Sequence, residues 1–361
     1  MASFHRWLTT SVAAGLIVAA CSSAATPAPT AAPTSKSSAG PSAAAAPTAT
    51  VLPGTKTFSI AFTNPGISSA PFLAAIADLN AKGYKIDFPV IQSSELVVQG
   101  VASGTFAFGS GANNAVLAAV EKGAGMRVVV TRVNNEWMLY AAKSITSCAG
   151  LAGKKLAIHS EGAVSTAMVK NYISTKCPGT APSYVVIPGS ENRLQAILAN
   201  PSPIDASPLE LGDAVTVDLK AADRYSLLSN FAGDLPNLQA NAIYVSLAFA
   251  RDNPGTVVEL IKAVLGQYRK VATDAAYLQQ ISEKHVPDAI VKETVAAATK
   301  KFVELKMFPV NGGITTENLN YSAKFFGPAP DGTGATKAII PLAQWADLTY
   351  LNLALKDIGT K

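Results

Sequence analysis

The chain of 361 residues carries 29 Lys+Arg against 24 Asp+Glu, a formal net charge of +5, and is 49% hydrophobic but only 15% charged. That length supplies a sizeable packed core in one large domain or two. No basic run exceeds a pair such as Lys154-Lys155 or Lys300-Lys301, which excludes the concentrated basic patch of a nucleic-acid binder, so no nucleic-acid partner is expected.

An apolar run over residues 7–20, "WLTTSVAAGLIVAA", follows His5 and Arg6. It is shorter than the roughly 20 residues that span a bilayer and suits the core of an export signal. The run ends in "VAAC" at residues 18–21: a branched residue, two small ones and a cysteine, which resembles the lipobox of bacterial lipoproteins. Residues 1–20 are therefore expected to be a lipoprotein signal peptide, with Cys21 as the lipidated residue. A plain signal peptide cut near Ala20 is the alternative. Each buried methylene of an acyl chain supplies about 0.8 kcal/mol, and several chains together make a stable anchor. The expected location is the cell envelope, lipid-anchored and extracytoplasmic, either periplasmic or on the outer face of the cytoplasmic membrane.

Residues 22–55 contain no acidic and no aromatic residue. Such a segment buries too little apolar surface to offset its chain entropy, so residues 21–55 read as a disordered Ala/Pro/Ser/Thr tether. Removing residues 1–55 discards Arg6 and Lys36 and no acid, leaving the body at 27 − 24 = +3.

From Lys56 onward strands and helices alternate. "KTFSIAF" reads as a strand, and "PFLAAIADLNAKG" as a helix with Pro71 near its start and Gly83 at its stop. "YKIDFPVI", "FAFGSG" and "MRVVVTR" read as further strands, with helices over "SSELVVQGVASG" and "ANNAVLAAVEKG" between them. A second cycle follows "WMLYAAKS": strands "KKLAIHS", "YVVIP" and "PIDAS", with helices "AVSTAMVKNYIS" and "NRLQAILAN". The remainder reads as largely helical, including "NPGTVVELIKAVLGQYRKVATD" and "IIPLAQWADLTYLNLALKD". Alternation of this kind specifies α/β architecture with largely parallel sheets, and two runs of βα units specify two lobes.

Cys148 precedes one strand of the second cycle and Cys177 follows its helix. In a βα unit these positions share an edge, so the two are expected to form a disulfide, two free buried thiols being the alternative. No histidine or further cysteine stands near enough to make a metal site, and no metal or cofactor is expected.

Ligands of open parallel sheets sit beyond the carboxyl ends of the strands, where helix N-termini expose N–H groups. The turns at those ends nominate Asn64, Ser68 and Ser69 in "TNPGISSAP", and Ser110, Asn113 and Asn114 in "GSGANN". They also nominate Arg132 and Trp137 in "TRVNNEW", Gly162 and Ser165 in "HSEGAVST", and Asp205 and Glu210 in "IDASPLE". Taken singly, Ser, Asn and Gly before a helix are ordinary caps and turns, and Arg132 serves an anion clamp or an ion pair equally well. The recurrence of polar turns after successive strands carries more weight than any member. Catalytic groups are sparse: His285 lies in a polar stretch, His159 stands at a strand end, and no nucleophile elbow, P-loop or zinc motif occurs. A binder is expected rather than an enzyme.

The run "VASGTFAFGSGANNAVLAAVEKGAGMRVVV", with "LAGKKLAIHSEGAVSTAMVKNYI" and "RLQAILANPSPIDASPLELGDA", resembles the nitrate/sulfonate/taurine substrate-binding proteins of ABC importers, a group that also takes thiamine-pyrimidine and riboflavin precursors. The resemblance spans roughly residues 56–320. It implies a two-lobed periplasmic-binding-protein-like α/β fold of class II, with mixed, largely parallel sheets flanked by helices. Lobe I would comprise 56–143 plus 240–361 and lobe II 144–239, with crossings near 140–143 and 237–243. The family pattern maps onto Gly162, Val164, Ser165, Asp205 and Ala206. The implied function is capture of a small organic solute (a sulfonate, a pyrimidine, or an aromatic or anionic compound) by a monomer that delivers it to an ABC permease and its ATPase. An exported enzyme on the same fold, dependent on His159, and a ligand sensor for a membrane kinase are the alternatives. Ala107 stands where the family often has an acid, and Ala163 and Val164 where sulfonate binders often carry Ser or Thr, which weakens the case for an oxyanion.

Overall fold

Ten strands divide into two five-stranded sheets, in the orders β2-β1-β3-β10-β4 and β7-β6-β8-β5-β9. The structure, a computed structural model, describes residues 52–63, 65–91, 93–327 and 339–361. Cys21, the signal segment, nearly all of the expected tether and Asn64 lie outside the described residues.

The first lobe opens with β1 (Thr57–Phe62), α1 (Ala70–Ala81), β2 (Lys85–Asp87), α2 (Ser94–Ala102), β3 (Phe108–Ala112), α3 (Asn113–Glu121) and β4 (Met126–Val133). The second contains β5 (Met138–Ala142), β6 (Lys155–Ile158), α4 (Val164–Lys176), β7 (Ser183–Val186), α5 (Ser190–Leu198), β8 (Ala206–Leu209), α6 (Leu211–Lys220), β9 (Tyr225–Ser229) and α7 (Phe231–Asp234). The chain then returns to the first sheet through β10 (Asn241–Ser246). It ends in helices α8 (Leu247–Asp252), α9 (Pro254–Val271), α10 (Ala275–His285), α11 (Val295–Glu304), α12 (Thr316–Phe326), α13 (Leu342–Trp345) and α14 (Thr349–Ile358).

Local signals place the boundaries. Pro71 occupies the first turn of α1, and Gly83 adopts φ 86° just past its end, a left-handed stop that a side chain resists. Ser93 caps α2 by accepting the Leu96 N–H at 3.3 Å.

Both sheets follow one plan, and the crossings dictate it. β1 runs parallel to β2 and β3, and β6 parallel to β7 and β8. A chain leaving β4 at its carboxyl end enters the second sheet from the facing edge, so it must run against the strands already there. β5 does so, antiparallel to β8 and β9. On the return, β10 inserts antiparallel between β3 and β4. The carboxyl ends of the parallel strands of both sheets therefore face each other across the junction.

Gly109 of β3 makes the insertion of β10 possible. A Cβ there would come within 2.3 Å of the Tyr244 ring, so only glycine admits this buried aromatic across the strand.

The structure corrects three expectations. β5 already belongs to the second sheet, so the first crossing lies within 134–137 rather than near 140–143. The stretch after residue 220, read as largely helical, contains β9 and the buried central strand β10. A four-residue apolar run, Ala242–Val245, flanked by helix-like sequence carries no periodicity that separates strand from helix. Finally, β8 begins at Ala206, later than "PIDAS" suggests, which moves its carboxyl end to Leu209, beside Glu210 at the start of α6.

Cys148 and Cys177 face each other at disulfide spacing, with Cα atoms 6.0 Å apart across a separation of 29 residues. Closing a loop of that length in the unfolded chain is worth about 3–4 kcal/mol. Replacing both cysteines by serine should cost stability of that order in denaturant unfolding. Mass spectrometry after alkylation under denaturing conditions should find Cys148 and Cys177 unlabelled until reductant is added; label on both beforehand would contradict the pairing.

Candidate functional site

The buried polar atoms that have no hydrogen-bond partner are concentrated at the junction of the lobes. They include Ser68 Oγ, Ser110 Oγ, Asn113 Oδ1, Asn114 Oδ1, Ser165 Oγ and Trp137 Nε1, together with Arg132 Nε and Nη2, both Glu136 carboxylate oxygens, Arg193 Nη2 and Glu210 Oε1. An unpartnered buried polar atom costs about 1–3 kcal/mol, and natural cores contain few. Their gathering where strand ends, helix first turns and the 134–137 crossing converge marks this junction as the candidate site.

A cavity of about 20 Å³, on the scale of one ordered water, lies within the junction. Its wall takes Gly66, Ile67 and Ser68 from the turn after β1, Glu136 from the crossing, and Glu191, Glu210, Gly212, Asp213 and Thr216 from the second lobe. Val291, Thr294, Val295, Ala298 and Phe302, on and just before α11, close the remaining side. The lobes are thus drawn together here. Thr216 of α6 and Thr294 share a hydrogen bond of 2.7 Å, and Lys220 pairs with Glu293 at 3.1 Å.

The electrostatics are unbalanced. Glu136 is fully buried, and desolvation raises its pKa from 4.5 to about 7; Arg132 opposes the rise and Asp213 adds to it. Ser68 and the Leu211 N–H lie close enough to oppose it too, although neither meets the carboxylate at hydrogen-bond geometry. Glu210 is raised well above its ordinary value by burial and then by the Glu136 charge. Burial also raises Asp213 to about 6. Two guanidiniums face these acids. Arg132 donates from Nη1 to the Thr63 carbonyl at 3.1 Å. Arg193 is committed to the carbonyls of Pro208, Ile187 and Gly189 at 3.0, 3.1 and 2.8 Å, and its guanidinium lies 5.9 Å from the Trp137 ring. Burial pulls the Arg193 pKa down to about 10.

A second set of contacts bridges the lobes on the α2–α3 side. Asn114 Nδ2 donates to the Gly162 carbonyl at 2.6 Å, and Ser160 Oγ donates to Glu95 Oε1 at 3.4 Å. A Cβ on Gly162 would meet Glu95 Oε1 at 2.3 Å, so a side chain here would displace the Glu95 carboxylate. The crossings are tied together as well: Asn135 Nδ2 donates to the carbonyls of Phe231 and Leu235 at 2.7 and 3.3 Å.

The nominated residues fall into groups. Ser68, Glu136's neighbour Trp137, Arg132 and Glu210 converge on the charged junction, while Ser110, Asn113, Asn114, Gly162 and Ser165 gather around the facing strand and helix ends. Asn113 spends its Nδ2 on the Gln239 carbonyl at 2.9 Å. Ser69 is a cap, bonded to the N–H and carbonyl of Gly66. Asp205 sits at the amino end of β8, away from Glu210, and its carboxylate accepts the Lys155 N–H at 2.8 Å. His159 Nδ1 accepts the Gly189 N–H at 2.9 Å, pinning the turn before α5. Sequence reasoning missed Glu136, Asp213, Arg193 and Ser190, whose Oγ accepts the Glu210 N–H at 3.0 Å. Only Glu136, inside "TRVNNEW", stood within a nominated turn.

A family model described as NMT1/THI5 like matches residues 80–274, more than half of the chain. No curated protein sequence matches. Among solved structures, a protein of Bordetella bronchiseptica RB50 superposes with a TM-score of 0.68 at 15% identity, covering 85% of this chain and 99% of that one. The nitrate-binding protein NrtA of Synechocystis PCC 6803 gives 0.63 at 12%, covering 85% and 90%. The alkanesulfonate-binding protein SsuA of Xanthomonas axonopodis pv. citri, bound to MOPS, gives 0.60 at 12%, covering 75% and 91%. These likenesses establish the two-lobed periplasmic-binding-protein fold.

The charge imbalance has a pH signature. Glu136 binds its proton more tightly folded, near pH 7, than unfolded, near 4.5, so its contribution is complete below about pH 4.5 and is lost as pH rises through 7. The span is worth about 3 kcal/mol, and Asp213 acts in the same direction. Tm should fall between pH 5 and pH 8, and Glu136→Gln should flatten that slope; a Tm that rises over this range would contradict the assignment.

Proposed function

The chain belongs to the NMT1/THI5-like family, and we propose that it is an extracytoplasmic solute-binding lipoprotein of an ABC importer. It captures a small organic solute between its lobes and delivers it to a permease driven by an ATPase. The observation that carries this reading is the concentration of unpartnered buried polar atoms from both lobes and the first crossing at one junction. Groups of that kind are satisfied by a ligand that both lobes contact together, and such a ligand stabilises the closed arrangement because the open one touches it from one side only.

The anchor fits the same reading. A lipid on Cys21 and a tether to residue 55 hold a receptor beside a membrane importer, and among the described residues no helix is long and apolar enough to cross a membrane. His159, on which an exported enzyme would depend, is engaged by the Gly189 N–H as part of the fold, which favours binding without turnover.

Small-angle scattering of the purified protein, with and without metabolites that raise its Tm, tests the reading. The expected outcome is a smaller radius of gyration with a stoichiometric ligand recovered unchanged, in both the wild type and His159→Ala. Consumption of the ligand that His159→Ala abolishes, or no closure with any metabolite, would overturn it.

A further inference from the structure

The wall of the junction cavity carries four carboxylates, Glu136, Glu191, Glu210 and Asp213, and no lysine or arginine. Opposite them stands an apolar face that includes Val291, Val295 and Phe302. Within the acidic half, both Glu136 oxygens, Glu210 Oε1 and the Ser68 hydroxyl are buried and lack partners, with residue exposures of 0%, 7% and 1%. Arg132 and Arg193 are not on that wall; Arg193 donates to three backbone carbonyls and Arg132 to one, leaving Arg132 Nε and Nη2 and Arg193 Nη2 unpartnered. With every group ionised, these six side chains sum to 2 − 4 = −2.

Building on the solute-receptor reading above, we propose that this receptor takes an organic cation, whose ammonium or amidinium group lies among Glu136, Glu210 and Asp213 and whose apolar body lies against α11. The physical reason is complementarity in a site of low dielectric. A cation there relieves the repulsion between neighbouring carboxylates and supplies the N–H donors that their unpartnered oxygens and Ser68 Oγ accept. A sulfonate or carboxylate in the same cavity meets four carboxyl groups with no basic group on the wall, a mismatch of charge that disfavours it. The cavity is too small in the closed form for an organic molecule. The cation therefore enters with α6 and α11 apart, and its body takes the space that opens between Thr216 and Thr294. An inorganic ion is disfavoured, because among the described residues no three acidic, His or Cys groups converge at metal-ligand spacing.

The full chain is titrated calorimetrically with tyramine, phenethylamine and agmatine, with benzoate and benzenesulfonate, with neutral pyrimidines, and with potassium, magnesium and zinc chlorides. The expected result is saturable binding of at least one organic amine or amidine, weakened at least tenfold in Glu136→Gln/Glu210→Gln. In the wild type, binding measured near pH 6.5 in two buffers of different ionisation enthalpy should release protons. Those protons come from Glu136, Glu210 and Asp213, which face Arg132, Arg193 and Glu191. This readout does not depend on the variant folding. Binding of the anions, the pyrimidines or the metal salts without the amines overturns the cation assignment and leaves the receptor reading standing. Absence of binding by any probe, together with no closure across the wider metabolite screen, removes both.

Discussion

Three carboxylates, Glu136, Glu210 and Asp213, are buried or nearly so where the lobes meet, against two guanidiniums, of which Arg193 is largely committed to backbone carbonyls and Arg132 spends one nitrogen on the Thr63 carbonyl. Burying charge is costly unless it is paired and hydrogen-bonded. Protonation relieves part of that cost, as the raised pKa values of all three acids record. Glu136 comes from the crossing while Glu210 and Asp213 start α6 in the second lobe, so the repulsion between Glu136 and Glu210 is part of the cost of packing that helix start against the crossing. A junction that is expensive when closed and unliganded, and satisfied when a complementary solute joins it, is the energetic basis of a receptor that closes on its ligand.

The topology delivers these groups to one place. Because the chain leaves β4 at its carboxyl end, Arg132 and Glu136 fall on either side of the point where it departs the first sheet. Because β8 ends at Leu209, Glu210 caps α6 and aims its carboxylate at the same junction. The antiparallel entry of β5 and β10 is the consequence of crossing from edge to facing edge, and Gly109 provides the room for Tyr244 that this insertion demands. Ties such as Asn135 to Phe231 and Leu235 hold the two crossings together.

Much of the architecture was legible because it is local. The strand–helix alternation through α6, the stop at Gly83 and the polar turns around Ser110, Asn113 and Ser165 are written in short windows. β10 was illegible because a central strand, buried on both faces, has the same short apolar run as a buried helix segment. The site was legible only in part for a different reason. Ser68, Trp137 and Glu210 follow strand ends, and Arg132 is the penultimate residue of β4, positions that strand-end geometry singles out. Glu136, Asp213 and Arg193 matter because of what surrounds them, and burial at a junction is a property of two distant segments that no single window contains. Asp205 shows the converse: a shift of the strand start places it at the amino end of β8, where it holds Lys155 instead of facing the cleft.

Carboxyl-carbon NMR of the ligand-free protein, with Glu136→Gln and Glu210→Gln supplying assignments, tests the central claim most directly. Two strongly interacting acids titrate as a pair, and the account predicts apparent midpoints for Glu136 and Glu210 displaced well above the ordinary glutamate range near 4.5. Midpoints for both near 4.5 would show that the junction is wet and open in solution, and would contradict the account.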